Sequence, residues 1–454
     1  MRTMTDCAKR LTRALVIFLL VQKALGQSCV LEPAIPTAGV PDGPVWSVLV
    51  LADGKILAGG AFTTIGGESR QHLARLFSDG SVDPDFVGDT DGSVYWMTFQ
   101  PDGKILLGGS FSEVQGLTRQ GIARLSSDGL VDADFDAGTN YSSDAGVLTI
   151  AVQPDGKIVT SSFDPFHISR LQRLNADGTL DTSFANTNLF DHYITALLPR
   201  TNGTIWAGGG FQQVNSEACI GIAVVNDDGS VETAPAAPLL PYSDILSFVE
   251  QTNGCVLVGG LLIRPDDTVA LAKLTPQLSW DISYDPDIFE GADITIGAML
   301  RQPDGKLVVA GNFTTVAGYC RRGVARVDSA GRLDTCFDPG LGFDDALGVR
   351  SLSLQGDGRI WVGGSFSGDN GITNLARLLP QSDCDATHVY LRQRTDGMVS
   401  VAATCTLGGT NWLESSENLV DWTPVSSSVE PYLPFCDFSL DSPPAMFFRV
   451  RKEY

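Results

Sequence analysis

Positive charge is scarce in this chain. Lys and Arg number 31 against 53 Asp and Glu, a net charge of −22. A nucleic acid would meet strong repulsion, so such a partner is excluded, and an anionic membrane surface is disfavoured for the same reason. Histidine is scarcer still. The four copies (His72, His167, His192, His388) are scattered and no CxxC occurs, which argues against a zinc site. Patterns of known catalysis are missing too: there is no GxSxG, HExxH or GxxxxGK[ST], and no dinucleotide fingerprint in a βαβ setting. Long apolar runs are absent beyond the N-terminus. Membrane insertion after leader removal is therefore not expected.

The N-terminus itself reads as a secretory signal. Arg2, Lys9, Arg10 and Arg13 form a basic region, the run Ala14–Val21 is apolar but too short to span a bilayer, and Ala24-Leu25-Gly26 is a small-x-small cleavage pattern. Cleavage after residue 26 leaves 26 basic against 52 acidic residues, a net −26. It also removes Cys7, so nine Cys become eight. An even count on an exported chain suggests disulfides. Secretion to an extracellular or periplasmic compartment is expected, as a monomer.

Glycine is plentiful, with 49 copies, and much of it recurs at a fixed period. An Asp/Asn-Gly turn followed by an apolar run occurs seven times, at Gly54, Gly103, Gly156, Gly203, Gly254, Gly305 and Gly358, with spacings of 49, 53, 47, 51, 51 and 53. Each unit reads as four strands. In the first, Val45–Val50 precedes the turn, Lys55–Phe62 follows it, then come His72–Leu76, a second turn at Asp79-Gly80, and Ser81–Phe86. Gly supplies the positive φ that such hairpins need. The Gly59-Gly60 pair permits close backbone approach near a crowded centre.

Four short strands repeated radially describe a propeller blade, and the expected fold is all-β: a seven-bladed β-propeller. The seventh unit stops after Leu375–Leu378. Its missing strand is supplied by Val30–Ile35, so an N-terminal strand closes the ring and removes exposed edges. Cys29 and Cys384 then sit where a bridge would lock the closure. Cys320 and Cys336 share one unit and are a second candidate pair; Cys219 and Cys255 fall in adjacent units and are left unassigned. The third strand carries a cation in six units (Arg75, Arg124, Arg173, Lys273, Arg326, Arg377; Val224 in the fourth). It is read as pairing with the fourth-strand acid across the hairpin, in preference to a functional ring of arginines.

The units resemble the bacterial delta-60 repeat family, over roughly residues 30–380. Gln100–Phe111, Gly323–Val327 and Leu333–Phe337 carry the resemblance; Ser161-Ser162 in the third unit and the missing second Asp-Gly turn of the fifth depart from it. That family implies export and a propeller-like body, and no established reaction. Residues 386–454 lack the repeat. Trp412–Ser416, Leu419–Thr423 and Phe447–Val450 resemble a small C-terminal β-sandwich module of verrucomicrobial secreted proteins, in which Cys405 and Cys436 could pair. The organisation expected is a signal peptide over 1–26, a propeller over 27–385, and a small β-sandwich domain over 386–454.

Loops joining one unit to the next are acid-rich: Asp89 and Asp91, Asp136 and Asp144, Asp191, Asp244, Asp287, Glu290 and Asp293, Asp344 and Asp345. The loops facing them supply Arg70, Arg119, Arg321 and Arg322. Three readings stay open: a solvated face; a Ca²⁺ site, with Asp89 and Asp91 as the metal candidates and no other cofactor; or a carboxylate pair for glycoside cleavage. The functional expectation is an exported, non-enzymatic binding or scaffold module for a polysaccharide or protein at the cell surface. The alternative is a carbohydrate-active hydrolase or lyase using the loop acids.

Overall fold

The computed structural model describes residues 40–378, apart from 87, 139, 140, 142–145, 167, 186, 233–238, 266, 285, 287, 292, 293, 336, 338, 340–342, 345–347 and 369–372, together with six strands between 388 and 453. The chain divides into two compact units, of which the larger holds Val30–Asp334 and Asp338–Pro380. Both are all-β. Among the described residues there is no helix, and so none long and apolar enough to cross a membrane.

Each repeat of the larger unit folds as an antiparallel sheet with its second strand in the middle. In the first repeat Val45–Val50 pairs with Ile56–Gly60, which pairs with Leu73–Leu76. The first strands of the later repeats are Val94–Phe99, Gly146–Val152, Ile194–Pro199, Asp244–Glu250, Thr295–Arg301 and Val349–Leu354. The turn glycines adopt φ between 80° and 89°, as the hairpins require. The aspartate or asparagine before each adds a cap; Asp53 Oδ1, for example, accepts the Lys55 N–H at 3.0 Å.

The fourth strand is shorter than the sequence pattern suggests. In the first repeat it is a single bridge, Leu76 to Val82, and the same holds at Val131, Leu180, Trp280 and Leu333; only the fourth repeat has a two-residue strand, Val231–Glu232. The reason is local. Asp83 Oδ1 accepts the Asp85 N–H at 3.1 Å, and Pro84 has no N–H to give, so the chain turns away from the sheet. In the fifth repeat, which lacks the second turn glycine, Leu278 takes the left-handed conformation at φ 59°.

Hydrophobic cores lie between successive sheets. One joins Leu57, Leu73 and Phe86 of the first repeat to Val94, Met97 and Ile105 of the second. Another joins Val45, Val48 and Ile56 to Trp361 and Leu375 of the seventh. The Gly-Gly pairs explain how the sheets approach. A Cβ on Gly60, Gly109, Gly209, Gly260 or Gly311 would lie 2.0–2.1 Å from a carbonyl oxygen at the start of its own first strand, that of Pro44, Ser93, Tyr193, Asp244 or Thr295. A Cβ on the preceding glycine would strike the next sheet: 2.7 Å from Val94 at Gly59, 2.6 Å from Ile245 at Gly208, 2.8 Å from Val48 at Gly363. In the third repeat Ser161 stands there, and its hydroxyl donates to the Ile194 carbonyl at 3.1 Å.

The pairing of third-strand cation and fourth-segment acid is present. Arg75–Asp83 (2.8 Å), Arg124–Asp132 (2.9 Å), Arg173–Asp181 (2.7 Å), Lys273–Asp281 (2.7 Å) and Arg326–Asp334 (2.8 Å) repeat one geometry. A second cation, the lysine after the turn glycine, joins four of these acids: Lys55, Lys104, Lys157 and Lys306, at 2.6–3.1 Å. The guanidinium also covers the aromatic ring three residues past the acid, 4.6–4.8 Å from the centroid for Phe86, Phe135 and Phe184. It then reaches the next repeat: Arg75 donates to the Asp128 carbonyl, Arg124 to that of Ala176, Arg173 to Asp227 Oδ1 at 2.6 Å, and Arg377 to the Ser78 carbonyl in the first repeat. In the fourth repeat, where Val224 replaces the cation, Arg200 comes from the first strand. It covers Trp206 and donates to the Gly254 carbonyl at 2.9 Å.

The smaller unit contains two antiparallel three-stranded sheets. One holds His388–Gln393, Met398–Thr404 and Tyr432–Ser439; the other holds Thr423–Ser428, Thr410–Ser416 and Phe447–Glu453. The expected closing strand Val30–Ile35 lies outside the described residues. So do Cys29, Cys336, Cys384 and Cys405, and the side chains of Cys320 and Cys436. Cys219 and Cys255 carry free thiols. Cys219 is buried and its thiol is pushed up to about 11 by desolvation.

Candidate functional site

The acidic loops serve largely to hold the backbone. Asp42, Asp91 and Asp191 each accept two consecutive backbone N–H groups from the facing loop: Thr63 and Thr64, Ser112 and Glu113, Gln212 and Gln213, all at 2.7–3.0 Å. Each acid therefore pins the loop after the second strand to the loop before the first. Burial raises the Asp42 carboxyl, but the hydrogen bonds from Thr63 and Thr64 outweigh it and hold it at about 2. Asp136 Oδ1 accepts the Gly138 N–H at 2.8 Å, and Glu290 accepts the Thr315 hydroxyl at 2.7 Å.

The two metal candidates sit together. Asp89, Thr90, Asp91, Glu113, Gln115 and Gly116 line one open pocket. Asp89 Oδ1 is spent on the Gln71 N–H at 3.0 Å, and both Asp91 oxygens are occupied, the second by the Ser112 hydroxyl. Among the described residues no three His, Cys, Asp or Glu side chains group in a way that could hold a metal ion. Of the facing arginines, Arg119 and Arg321 are buried, and Arg119 donates to the Ala133 carbonyl at 3.0 Å. Asp144, Asp287, Asp293 and Asp345 lie outside the described residues.

A second arrangement lies where the first strands converge. Every first strand carries a β-bulge just past its opening. The pairing register shifts between Val45 and Ser47, Val94 and Trp96, Val147 and Thr149, Ile194 and Ala196, Ile245 and Ser247, Ile296 and Ala298, and Val349 and Ser351. A bulge inserts one unpaired residue and re-aims its side chain. The unpaired residues are Trp46, Tyr95, Leu148, Thr195, Leu246, Gly297 and Arg350. Each is at least partly open to solvent, while the residue before it is buried. Their chemistry differs at nearly every repeat although the backbone does not.

Arg350 is the charged member of this set. It reaches water but is surrounded by protein, and desolvation lowers its pKa against the opposing pull of Asp244. Gly297 lies beside it: a Cβ there would be in ordinary contact with Arg350 Cδ at 3.8 Å, and too close to the Val349 carbonyl oxygen at 2.9 Å. Asp244 opens the fifth first strand and is half-buried. Burial pushes its pKa up, and the charges of Arg350 and His192 pull back. Its Oδ1 is shut off from solvent without a hydrogen-bond partner. His192 Nδ1 and Asp244 Oδ1 both face the bare Cα of Gly210, lying 3.2 and 3.5 Å from where a Cβ would be. Aromatic rings continue the arc: His192 to Tyr193 at 4.8 Å, Tyr193 to Phe163 at 5.5 Å, Phe163 to Tyr95 at 6.3 Å between centroids. Of these residues only Asp244 was on the sequence-derived roster of loop acids. The bulge residues carry a sequence signal of their own, each lying eight positions before its turn glycine, whereas nothing in the repeat marks Phe163, His192 or Tyr193.

The model of a domain of unknown function (DUF5122), described as a beta-propeller, matches residues 51–86, 100–135, 153–184, 302–337 and 355–387. These matches support a β-propeller family. They run from the end of each first strand into the fourth segment and so take in the propeller repeat's turns, glycine pairs and Arg–Asp clusters. No curated protein matches the chain. Solved structures with a likeness include the extracellular domain of a hybrid two-component system from B. thetaiotaomicron (10% identity, TM-score 0.46, 92% of this chain and 54% of that one), so the chain spans about half of that protein's length. A gluconolactonase from Xanthomonas campestris is 12% identical at TM-score 0.36, over 79% of this chain and 96% of that one. A calcium-binding protein, regucalcin, from Agrobacterium tumefaciens is 11% identical at TM-score 0.35, over 79% and 96%. All three scores fall below 0.5, and neither ligand nor chemistry is carried over from them.

Proposed function

We propose that this chain is an exported, non-enzymatic β-propeller that binds a polysaccharide or protein partner at the end of the ring where the bulges lie. In this reading residues 1–26 are a signal peptide, 27–385 form seven blades closed by the N-terminal strand, and 386–454 form a small β-sandwich. Closure is supported by contacts from the last repeat to the first. The Val48 N–H donates to Ser351 Oγ at 3.0 Å, the Val50 N–H donates to Ser353 Oγ at 3.1 Å, and Arg377 donates to the Ser78 carbonyl. The binding reading rests on one observation: seven equivalent bulges carry seven residues of six types on a uniform backbone. A purely structural position would repeat its residue, as the turn glycines do.

The alternative is a hydrolase with a raised-pKa carboxyl as general acid, and Asp244 has that character. Such chemistry needs a second carboxylate roughly 5–10 Å away. Among the described residues the charges acting on Asp244 are those of Arg350 and His192. The test exposes the mature chain to a glycan array and, separately, to the bound polymers in a reducing-end assay. Retention without release supports binding. Release of reducing ends that disappears in Asp244→Asn overturns it in favour of the hydrolase.

A further inference from the structure

Resting on that binding reading, we propose that Asp244, Arg350 and the arc Tyr95–Phe163–Tyr193 take a neutral sugar ring of a glycan, its hydroxyl groups shared between the carboxylate and the guanidinium. Charge balance selects the ligand. Arg350 is one of the two charges acting on Asp244, and Asp244 is the charge acting on Arg350. An anionic sugar would set its own carboxylate against Asp244 and against a chain of net charge −22. A cationic ligand would claim Asp244 and be repelled by Arg350 beside it. A hydroxyl donates and accepts at once, so a polyol satisfies the carboxylate as acceptor and the guanidinium as donor without separating the pair.

The other features agree. Asp244 keeps a buried oxygen without a hydrogen-bond partner, which a ligand hydroxyl would satisfy. Aromatic rings offer apolar faces to the C–H face of a sugar, with hydroxyls on Tyr95 and Tyr193 at their edge. Gly210 keeps the space beside His192 and Asp244 clear. The groups come from the second, third, fourth, fifth and seventh repeats.

The experiment is titration calorimetry of the mature chain with cellotetraose, maltotetraose, mannotetraose and xylotetraose, with tetragalacturonate and chitosan tetramer as charged probes. At least one uncharged tetrasaccharide is expected to bind with a submillimolar Kd. Asp244→Asn and Arg350→Gln should each weaken it tenfold or more, and Gly210→Val, which fills the space beside His192 and Asp244, should abolish it, all three with the melting temperature kept. Preference for a charged probe, lost in Asp244→Asn, overturns the ligand class and leaves the binding reading standing. Binding that none of the three variants alters overturns the site. No binding of any probe overturns the proposal, and the glycan array then decides whether the broader reading falls with it.

Discussion

Arg173 shows what one residue does in each repeat. Its side chain is nearly free of solvent, yet it faces Asp181 at 2.7 Å and Asp227 of the next repeat at 2.6 Å, and it covers Phe184. Breaking a buried pair strands the partner's charge. Arg173→Met should therefore cost about 3 kcal/mol in chemical unfolding, even with Lys157 left beside Asp181. The same carboxylates set the acid limit. Asp83, Asp132, Asp181, Asp281 and Asp334 all have lowered pKa values; at Asp281, hydrogen bonds from Lys273 and Ser283 bring it to about 2. Their stabilisation is present above the unfolded value of about 3.9 and is lost as pH falls through the lower folded values. Melting temperature should be nearly flat from pH 7 to about 5 and fall steeply between about 4 and 2. A decline that begins near pH 6 would point to histidine instead.

At the scale of the element, the turn and the glycine pair were legible because each is dictated by backbone sterics that leave one residue type standing. The fourth strand was overread: an apolar residue, an acid and an aromatic at strand spacing look extended, but the acid folds back on its own backbone, and at Asp83 the next residue is Pro84. The bulges escaped because an unpaired residue breaks no pattern of polarity; Trp46, Leu148 and Arg350 share a position and nothing else. The glycine before each close approach gives a direct check. In Gly363→Val the new side chain would meet Val45 and Val48 of the first sheet, where even a Cβ lies 2.8 Å away. This variant should lose about 3 kcal/mol or more. It should also raise hydrogen exchange in Val45–Val50 and Val349–Leu354 ahead of Ile194–Pro199.

For the whole molecule, each sheet shares its core with the next, so no repeat buries its apolar face alone. The tail carries neither the Gly-Gly-x-Phe nor the Ala-Arg-Leu marker of the propeller repeat, although Asp396-Gly397 offers a hairpin turn. Residues 27–385 expressed alone should accordingly unfold in one cooperative transition and resist protease; insoluble or gradually melting material would make the tail part of the ring. One property of the bulges reaches further. Folding here rests on glycines, on Arg–Asp clusters and on buried positions flanking each bulge, and the bulge residue itself is outside strand pairing. Selection for a new ligand can therefore rewrite the rim one repeat at a time, and duplication of a repeat delivers a fresh rim position with its scaffold already paid for.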